Sequence, residues 1–120
     1  MVALRQPHRQ QHKRSAIIED LLEMAQQEHH EAIRAIIAML TDLHQNQLRE
    51  CQYAKKLRGL PVWELKSHAR GGAKGGARVY FFVLNDQAFI TGAEIKTGAT
   101  LSDHKIDEAL EFLDQITEEL

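Results

Sequence analysis

A chain of 120 residues is long enough for one domain and too short for a second domain with a core of its own. Its apolar fraction of 43% and charged fraction of 27% are typical of a folded globular protein, and no apolar run approaches the roughly 18 residues of a membrane span. The formal net charge of −2 argues, by itself, against a nucleic-acid-binding protein, because such proteins usually carry an excess of Lys and Arg.

Positive and negative charges are segregated along the chain. The segment from Arg49 to Arg78 holds eight cations and two anions, whereas the segment from Ser102 onward holds seven anions and one cation. A concentration of cations of this kind is what attracts a nucleic-acid backbone. The small net charge therefore conceals a cationic middle segment and an acidic final segment.

The first residues and the single cysteine indicate a cellular location. Met1–Arg14 is polar and basic and lacks the apolar core of a secretion signal. Cys51 has no second cysteine with which to form an internal disulfide, as is typical of a reducing compartment. We therefore expect a cytoplasmic protein with a basic N-terminal arm at residues 1–14, which could include a short strand, and one domain at residues 15–120.

Two amphipathic helices are predicted after this arm. Ser15 can cap the first helix, and the second runs from about Glu28 to Leu48 without a Gly or Pro to interrupt it. In both segments apolar residues recur at the spacing of one helical face. Two such helices in succession predict a helical hairpin near the N-terminus.

Three strands and a last helix are predicted in the remainder of the chain. Alternating, aromatic and β-branched residues predict strands at Val62–Lys66, Ala77–Val83 and Ala88–Lys96. Turn residues between them, which include Asn85-Asp86, favour an antiparallel meander. Ser102 can then cap an amphipathic C-terminal helix. The order of elements predicts an α+β fold in which the helical hairpin packs on a small antiparallel sheet.

The strand at residues 77–83 carries the first candidate site residue. Successive side chains alternate between the two faces of a strand, so Arg78 lies opposite the packed face and Lys66 can project beside it. A guanidinium and an ammonium at this spacing suit phosphate binding and the stabilisation of charge that develops during phosphate cleavage. Alternatively, Arg78 pairs across the sheet with Glu64 or Glu94.

Neither the glycine-rich loop nor the histidines match a known ligand-binding motif. In the loop from Arg70 to Gly76, Lys74 precedes two glycines and a strand follows, whereas a P-loop has Gly before Lys and then a helix. The loop fits a cationic flap over a groove that follows a nucleic-acid backbone, or a plain hairpin loop. The seven histidines lack the HExxH arrangement, so we expect no metal. His104 could serve as a general acid or be solvated.

Two segments of the cationic region resemble a known family. Residues 55–66 read K-K-L-R-G-L-P-V-W-E-L-K, and residues 75–82 read G-G-A-R-V-Y-F-F. They resemble the RelE/ParE toxin superfamily, nearest its HigB-like, phage-type branch, whose members read K-L-x-G-x-L-(W/Y)-E-L-R and then Y-R-(V/L)-x-Y/F-F. Residues 95–98 and 106–109 resemble the family's F-x-K-K-T and its closing E-I-x-x-A helix. The resemblance covers about half of the chain closely, and Ala77 stands where the family has tyrosine.

The resemblance implies a curved antiparallel sheet with two helices packed on it and a function in a toxin–antitoxin system. The implied activity is ribosome-dependent cleavage of mRNA without a metal or another cofactor, by attack of the RNA 2′-hydroxyl on the adjacent phosphate. The implied partners are the ribosome, mRNA and a cognate antitoxin, a helix-turn-helix protein in the HigA-like case, with DNA bound only through the antitoxin complex and no membrane partner. The alternatives are a ParE-like toxin that inhibits DNA gyrase by binding, and a non-toxic member that acts only as an antitoxin partner.

The residue pattern and the resemblance together predict a set of site residues. Arg78 matches the Arg of Y-R-V, Lys66 the basic residue of E-L-R, and Lys96 a Lys of F-x-K-K-T. The predicted catalytic residues are Arg78, Lys66, Lys96 and His104, and the predicted RNA-binding residues are Arg70, Lys74, Lys55, Lys56, Arg58 and Tyr80.

Overall fold

The computed structural model describes residues 1–69, 74–98 and 101–119, which form three α-helices and a five-stranded sheet. The elements in chain order are β1 (Ala3–Arg5), α1 (Ala16–Gln26), α2 (His30–Gln45), a 3-10 turn (Leu48–Glu50), β2 (Ala54–Lys56), β3 (Trp63–Lys66), β4 (Ala77–Leu84), β5 (Gln87–Ile95) and α3 (Asp103–Glu118). The predicted α+β class is confirmed. In the described part of the chain, no helix is both long and apolar enough to cross a membrane.

The strands pair in the order β1-β5-β4-β3-β2. β1 runs parallel to β5, and the other neighbouring strands are antiparallel. The prediction of an entirely antiparallel sheet is therefore wrong. So is the prediction that a helical hairpin opens the fold, because β1 comes before α1 and α2. A three-residue strand is too short for its alternation to stand out in a sequence.

The helix N-termini and the turn between β4 and β5 follow from local residues. The Ser15 hydroxyl accepts a hydrogen bond from the amide of Ile18 at the start of α1, and the Ser102 hydroxyl accepts one from the amide of Lys105 at the start of α3. Asn85 and Asp86 have φ of 52° and 62°, the left-handed conformation that a two-residue hairpin turn requires. These caps and this turn are where the sequence places them.

α1 and α2 pack on one face of the sheet. Ile36, Met39 and Leu43 of α2 are buried in one cluster with Val79 and Phe81 of β4. Because alternate side chains of a strand share a face, this is the packed face predicted for β4. Burying one large apolar side chain contributes about 1.5–3 kcal/mol, so this cluster is the main source of stability on this side.

α3 packs on part of the opposite face. Tyr80 and Phe82 of β4 are buried there, the first beside Ala109 and the second beside Phe112 of α3. The main contacts of α3 with the sheet are to β4 and β5. On this face α3 therefore lies mainly over β4 and β5 rather than over β2 and β3.

A buried carboxylate connects the elements at the edge of β5. β1 pairs only with Gln87–Phe89, and farther along the edge the amide of Ala93 donates to Asp20 of α1 at 2.9 Å. The same carboxylate accepts from Lys105 of α3 at 2.8 Å and from Arg9 of the N-terminal segment at 3.0 Å. One side chain thus joins the N-terminal segment, α1, β5 and α3.

Candidate functional site

Strand register brings the two leading candidates together. Lys66 of β3 lies directly opposite Arg78 of β4, while Trp63 and Leu65 pack in the cluster under α2. The predicted register is therefore confirmed. Side chains directly opposite each other on antiparallel strands lie within a few ångströms, so the two cations share one region of the sheet surface.

A cleft of about 490 Å³ lies over this region. The described residues that line it are cations, apolar side chains and a single carboxylate. The cations are Lys55, Lys56, Arg58, Lys66 and Arg78; the apolar residues are Leu57, Leu60, Leu101 and Ile106; the carboxylate is Glu64. All five of these cations are predicted site residues. The pairing of β2 with β3 places Lys55 directly opposite Glu64, and Lys56 opposite Trp63.

Arg78 lies at the base of the cleft. Its residue is only 3% exposed, and its Nη2 donates to the carbonyl oxygen of Gly98 at 2.6 Å. Its Nε lies 3.9 Å from Glu64 Oε2, which is an ion-pair contact but too long for a hydrogen bond. Arg78 therefore pairs with a carboxylate across the sheet, as the predicted alternative has it, and also lines the cleft; phosphate binding by Arg78 stays a prediction. The carboxylate is that of Glu64. The Glu94 carboxylate instead accepts a hydrogen bond from the Tyr80 hydroxyl.

Glu64 is the residue of the cleft that the sequence did not single out. Its side chain is 5% exposed, and within the described residues its Oε2 has no hydrogen-bond donor. A buried carboxylate oxygen without a donor costs about 1–3 kcal/mol or more, so it needs an explanation. The sequence presents Glu64 only as one polar residue of an alternating strand, and its burial depends on residues of other elements.

The remaining cations of the cleft are exposed. Lys55 and Lys56 lie on the edge strand β2, and Arg58 lies in the turn that leads to β3. This turn is closed by hydrogen bonds between the backbones of Leu57 and Val62 and of Leu60 and Leu57. These exposed cations lie around the buried pair of Arg78 and Glu64. Their positive charge can attract a polyanion to the cleft, and the buried pair forms the floor of that cleft.

Tyr80 lies beneath α3 and does not line the cleft. It is fully buried, its hydroxyl donates to the Glu94 carboxylate, and the same oxygen accepts from the amide of Ser102 at 3.4 Å. Burial, and next the adjacent Glu94 carboxylate, raise the pKa of Tyr80 above its ordinary value. These contacts join β4, β5 and the start of α3, and a role for Tyr80 in RNA binding stays a prediction.

Three other predicted residues lie away from the cleft lining. Lys96 follows β5, and its ammonium donates to the carbonyl oxygens of Ser67 and Ala69 at 3.3 and 3.4 Å. His104 is exposed in the first turn of α3. Lys74 is exposed beside Gly75, whose backbone lies against the Glu31 carbonyl of α2. Arg70 lies outside the described residues.

The sequence matches no protein-family model and no curated protein. The case for a function therefore depends on the residues and geometry of the chain. Within the described residues, no group of three or more His, Cys, Asp or Glu side chains is arranged to hold a metal ion. Among the described residues of the cleft, the ionisable side chains are those of lysine, arginine and one buried glutamate.

Proposed function

We propose that this chain is the toxin of a type II toxin–antitoxin system, a ribosome-dependent endonuclease that cleaves mRNA and thereby inhibits translation and arrests growth. The proposal includes membership in the RelE/ParE superfamily, in its HigB-like branch, and a RelE-like form of the α+β fold. It also includes action in the cytoplasm and neutralisation by a cognate antitoxin, in the HigA-like case a helix-turn-helix protein.

The observation that carries this proposal is the cationic cleft. Five cations among the described residues line it, and two of them, Lys66 and Arg78, lie opposite each other on paired strands. Lysine and arginine can bind a phosphodiester and stabilise the additional negative charge that forms when the RNA 2′-hydroxyl attacks the phosphorus. The exposed Lys55, Lys56 and Arg58 would bind neighbouring phosphates and position the strand.

The test is inducible expression of the chain in bacteria, with growth and transcript cleavage as readouts. We expect growth arrest and cuts in ribosome-bound messages, both suppressed when the antitoxin is expressed from the adjacent gene. Lys66→Ala should lower cleavage about a hundredfold, as does the loss of one charge-stabilising donor in other enzymes. Arg34→Ala is the matched control, because Arg34 is a 75% exposed cation on α2, the helix packed on the other face of the sheet.

Alanine at Arg78 is a poor test of activity. Removing one partner of a buried ion pair costs about 3–5 kcal/mol of stability. A loss of activity in Arg78→Ala would therefore not distinguish an unfolded protein from a folded protein that lacks a catalytic group. Exposed residues avoid this problem, and Lys55→Ala combined with Lys56→Ala should weaken RNA binding without unfolding the protein. The salt dependence of RNA binding should fall as well, since each phosphate contact contributes about 0.7 to the slope of log affinity against log salt for single strands.

The burial of Arg78 favours one alternative, a ParE-like toxin that binds DNA gyrase. In such a protein Arg78 would be structural, as its contacts with Glu64 and Gly98 permit. Toxicity that persists in Lys66→Ala without transcript cleavage, together with co-purification of gyrase, would establish that alternative. Harmless overexpression of folded protein would instead indicate a non-toxic antitoxin partner and refute both toxin proposals.

A further inference from the structure

The unusual group in the cleft is an acid among cations. Glu64 is the single carboxylate among the described residues that line it, and its side chain is 5% exposed. Its Oε2 has no hydrogen-bond donor in the described part of the chain, and the nearest ionic group, Arg78 Nε, is 3.9 Å away. At that distance the guanidinium of Arg78 offsets the negative charge of Glu64 but leaves Glu64 Oε2 able to accept a hydrogen bond.

This arrangement specifies the ligand more closely than a basic patch would. Lys66 and Arg78 attract an anion, whereas Glu64 repels an anion and accepts a hydrogen bond. A ligand that satisfies all three groups has a negatively charged oxygen and a hydroxyl hydrogen a few ångströms apart. In RNA the ribose 2′-hydroxyl is next to the 3′-phosphate, and in DNA this hydroxyl is missing.

We propose that Glu64 binds the ribose 2′-hydroxyl at the scissile phosphate and accepts its proton during cleavage, so that the cleft selects RNA over DNA. This rests on the endonuclease proposed above and assigns its general base. Phosphate binding by Lys66 and Arg78 would place the hydroxyl against Glu64 Oε2, which explains why a buried carboxylate lines a cationic cleft.

The proposed step balances without a metal, an oxidant or a reductant. The 2′-oxygen gives its proton to Glu64 and forms a bond to phosphorus, and the bond from phosphorus to the 5′-oxygen breaks. The 5′-oxygen takes a proton from the exposed ammonium of Lys66, and exchange with water restores both side chains. The products are a 2′,3′-cyclic phosphate and a 5′-hydroxyl. Arg78 would stabilise the negative charge that increases on the phosphoryl oxygens.

Two measurements on the full chain test the assignment. The first compares binding of a single-stranded RNA, the DNA of the same sequence, and the RNA with 2′-deoxyribose throughout one central trinucleotide. One hydrogen bond to a carboxylate should make the RNA bind about tenfold to a hundredfold more tightly than either deoxy form. Equal binding of the three by the unmodified protein would overturn the proposal, and this result requires no variant to fold.

The second measurement compares Glu64→Gln with Glu111→Gln, a matched control at an exposed acid of α3. Glu64→Gln keeps the size of the side chain but loses the charge and the base. It should lower kcat for cleavage of ribosome-bound mRNA about a hundredfold or more, with little change in KM, and bind DNA more tightly. Unchanged kcat and an unchanged preference for RNA, in a variant shown to be folded by circular dichroism, would refute the role of Glu64.

The two proposals fail in different ways. If the unmodified protein cleaves mRNA and Glu64→Gln cleaves it equally well, the endonuclease stands and the assignment of Glu64 is wrong. If the unmodified protein cleaves no mRNA on ribosomes and binds RNA no better than DNA, both proposals are wrong. If it prefers RNA through Glu64 but cleaves nothing, recognition of the 2′-hydroxyl stands and proton transfer is refuted together with the endonuclease.

Discussion

Asp20→Ala is expected to lower the free energy of unfolding by about 3–5 kcal/mol, the range for breaking a buried ion pair. The Asp20 side chain is 7% exposed and accepts hydrogen bonds from Ala93, Lys105 and Arg9 at 2.8–3.0 Å. Leaving the Ala93 amide without an acceptor costs about 1–3 kcal/mol. Loss of the carboxylate also leaves Lys105, with a side chain 16% exposed, without this partner. Arg9 loses less, because it also contacts Glu19 and Glu108.

Asp20→Asn separates the hydrogen bond from the charge. The asparagine carbonyl can still accept from the Ala93 amide, so the expected loss is smaller, about 1–2 kcal/mol from the charged partners alone. Glu23→Ala is the control, since Glu23 is an exposed acid on the same helix and its replacement should stay within about 0.5 kcal/mol.

Urea unfolding followed by far-ultraviolet circular dichroism gives these differences from the midpoints at a common slope. The cycle of Asp20→Ala, Lys105→Met and the double variant should show a coupling of about 0.5–3 kcal/mol. The reasoning is refuted if Asp20→Ala loses less than about 1 kcal/mol, or if the alanine and asparagine variants are equally stable. Either result would mean that the stability of the fold does not depend on the Asp20 carboxylate as an acceptor for the Ala93 amide of β5.

Other variants test other contacts of the fold. Ser67→Ala removes a buried hydroxyl that bridges two backbone groups at the start of β4, and should cost about 1–3 kcal/mol in urea unfolding; no change would contradict this. Because the pKa of Tyr80 is raised in the folded state, mainly by burial, stability should fall as pH rises above about 10, and Tyr80→Phe should lack that part of the fall. A Cβ at Gly92 would lie 2.9 Å from Asp20 Oδ2, so Gly92→Ala should lower the melting temperature, whereas Gly98→Ala, with open space around it, should not.

Elements with strong local signals were predictable from the sequence. The serine caps of α1 and α3 and the turn at Asn85-Asp86 depend on residues within one turn of chain, and all are present. For β1 the sequence allowed only a short strand somewhere in residues 1–14, and β2 was not identified, because each strand has three residues and depends on partners elsewhere in the chain. For β1 the partner strand is more than eighty residues away, and no local pattern contains that information.

The site was predictable to the extent that it depends on strand alternation. Lys66 and Arg78 come together because β3 and β4 are neighbours in sequence and in the sheet. The burial of Arg78 could not be predicted, since it depends on Gly98 and on what packs over the strand. The same holds for Tyr80, which is buried because α3 crosses β4 at Ala109.

The positions of the ion pairs explain how a chain with net charge −2 can present a cationic cleft. Within the described residues, the ion pairs of α3 run to the N-terminal segment and to α1: Glu108 pairs with Arg9, and Lys105 pairs with Asp20. The hydrogen bond to the Glu108 carboxylate raises the pKa of Arg9, because it favours the charged guanidinium. No ion pair of α3 reaches the exposed lysines of β2 and β3 in the described structure. The basic N-terminal segment therefore binds the acidic helix near β5, and the ion pairs described for α3 leave the positive charge of the cleft near β2 and β3 in place.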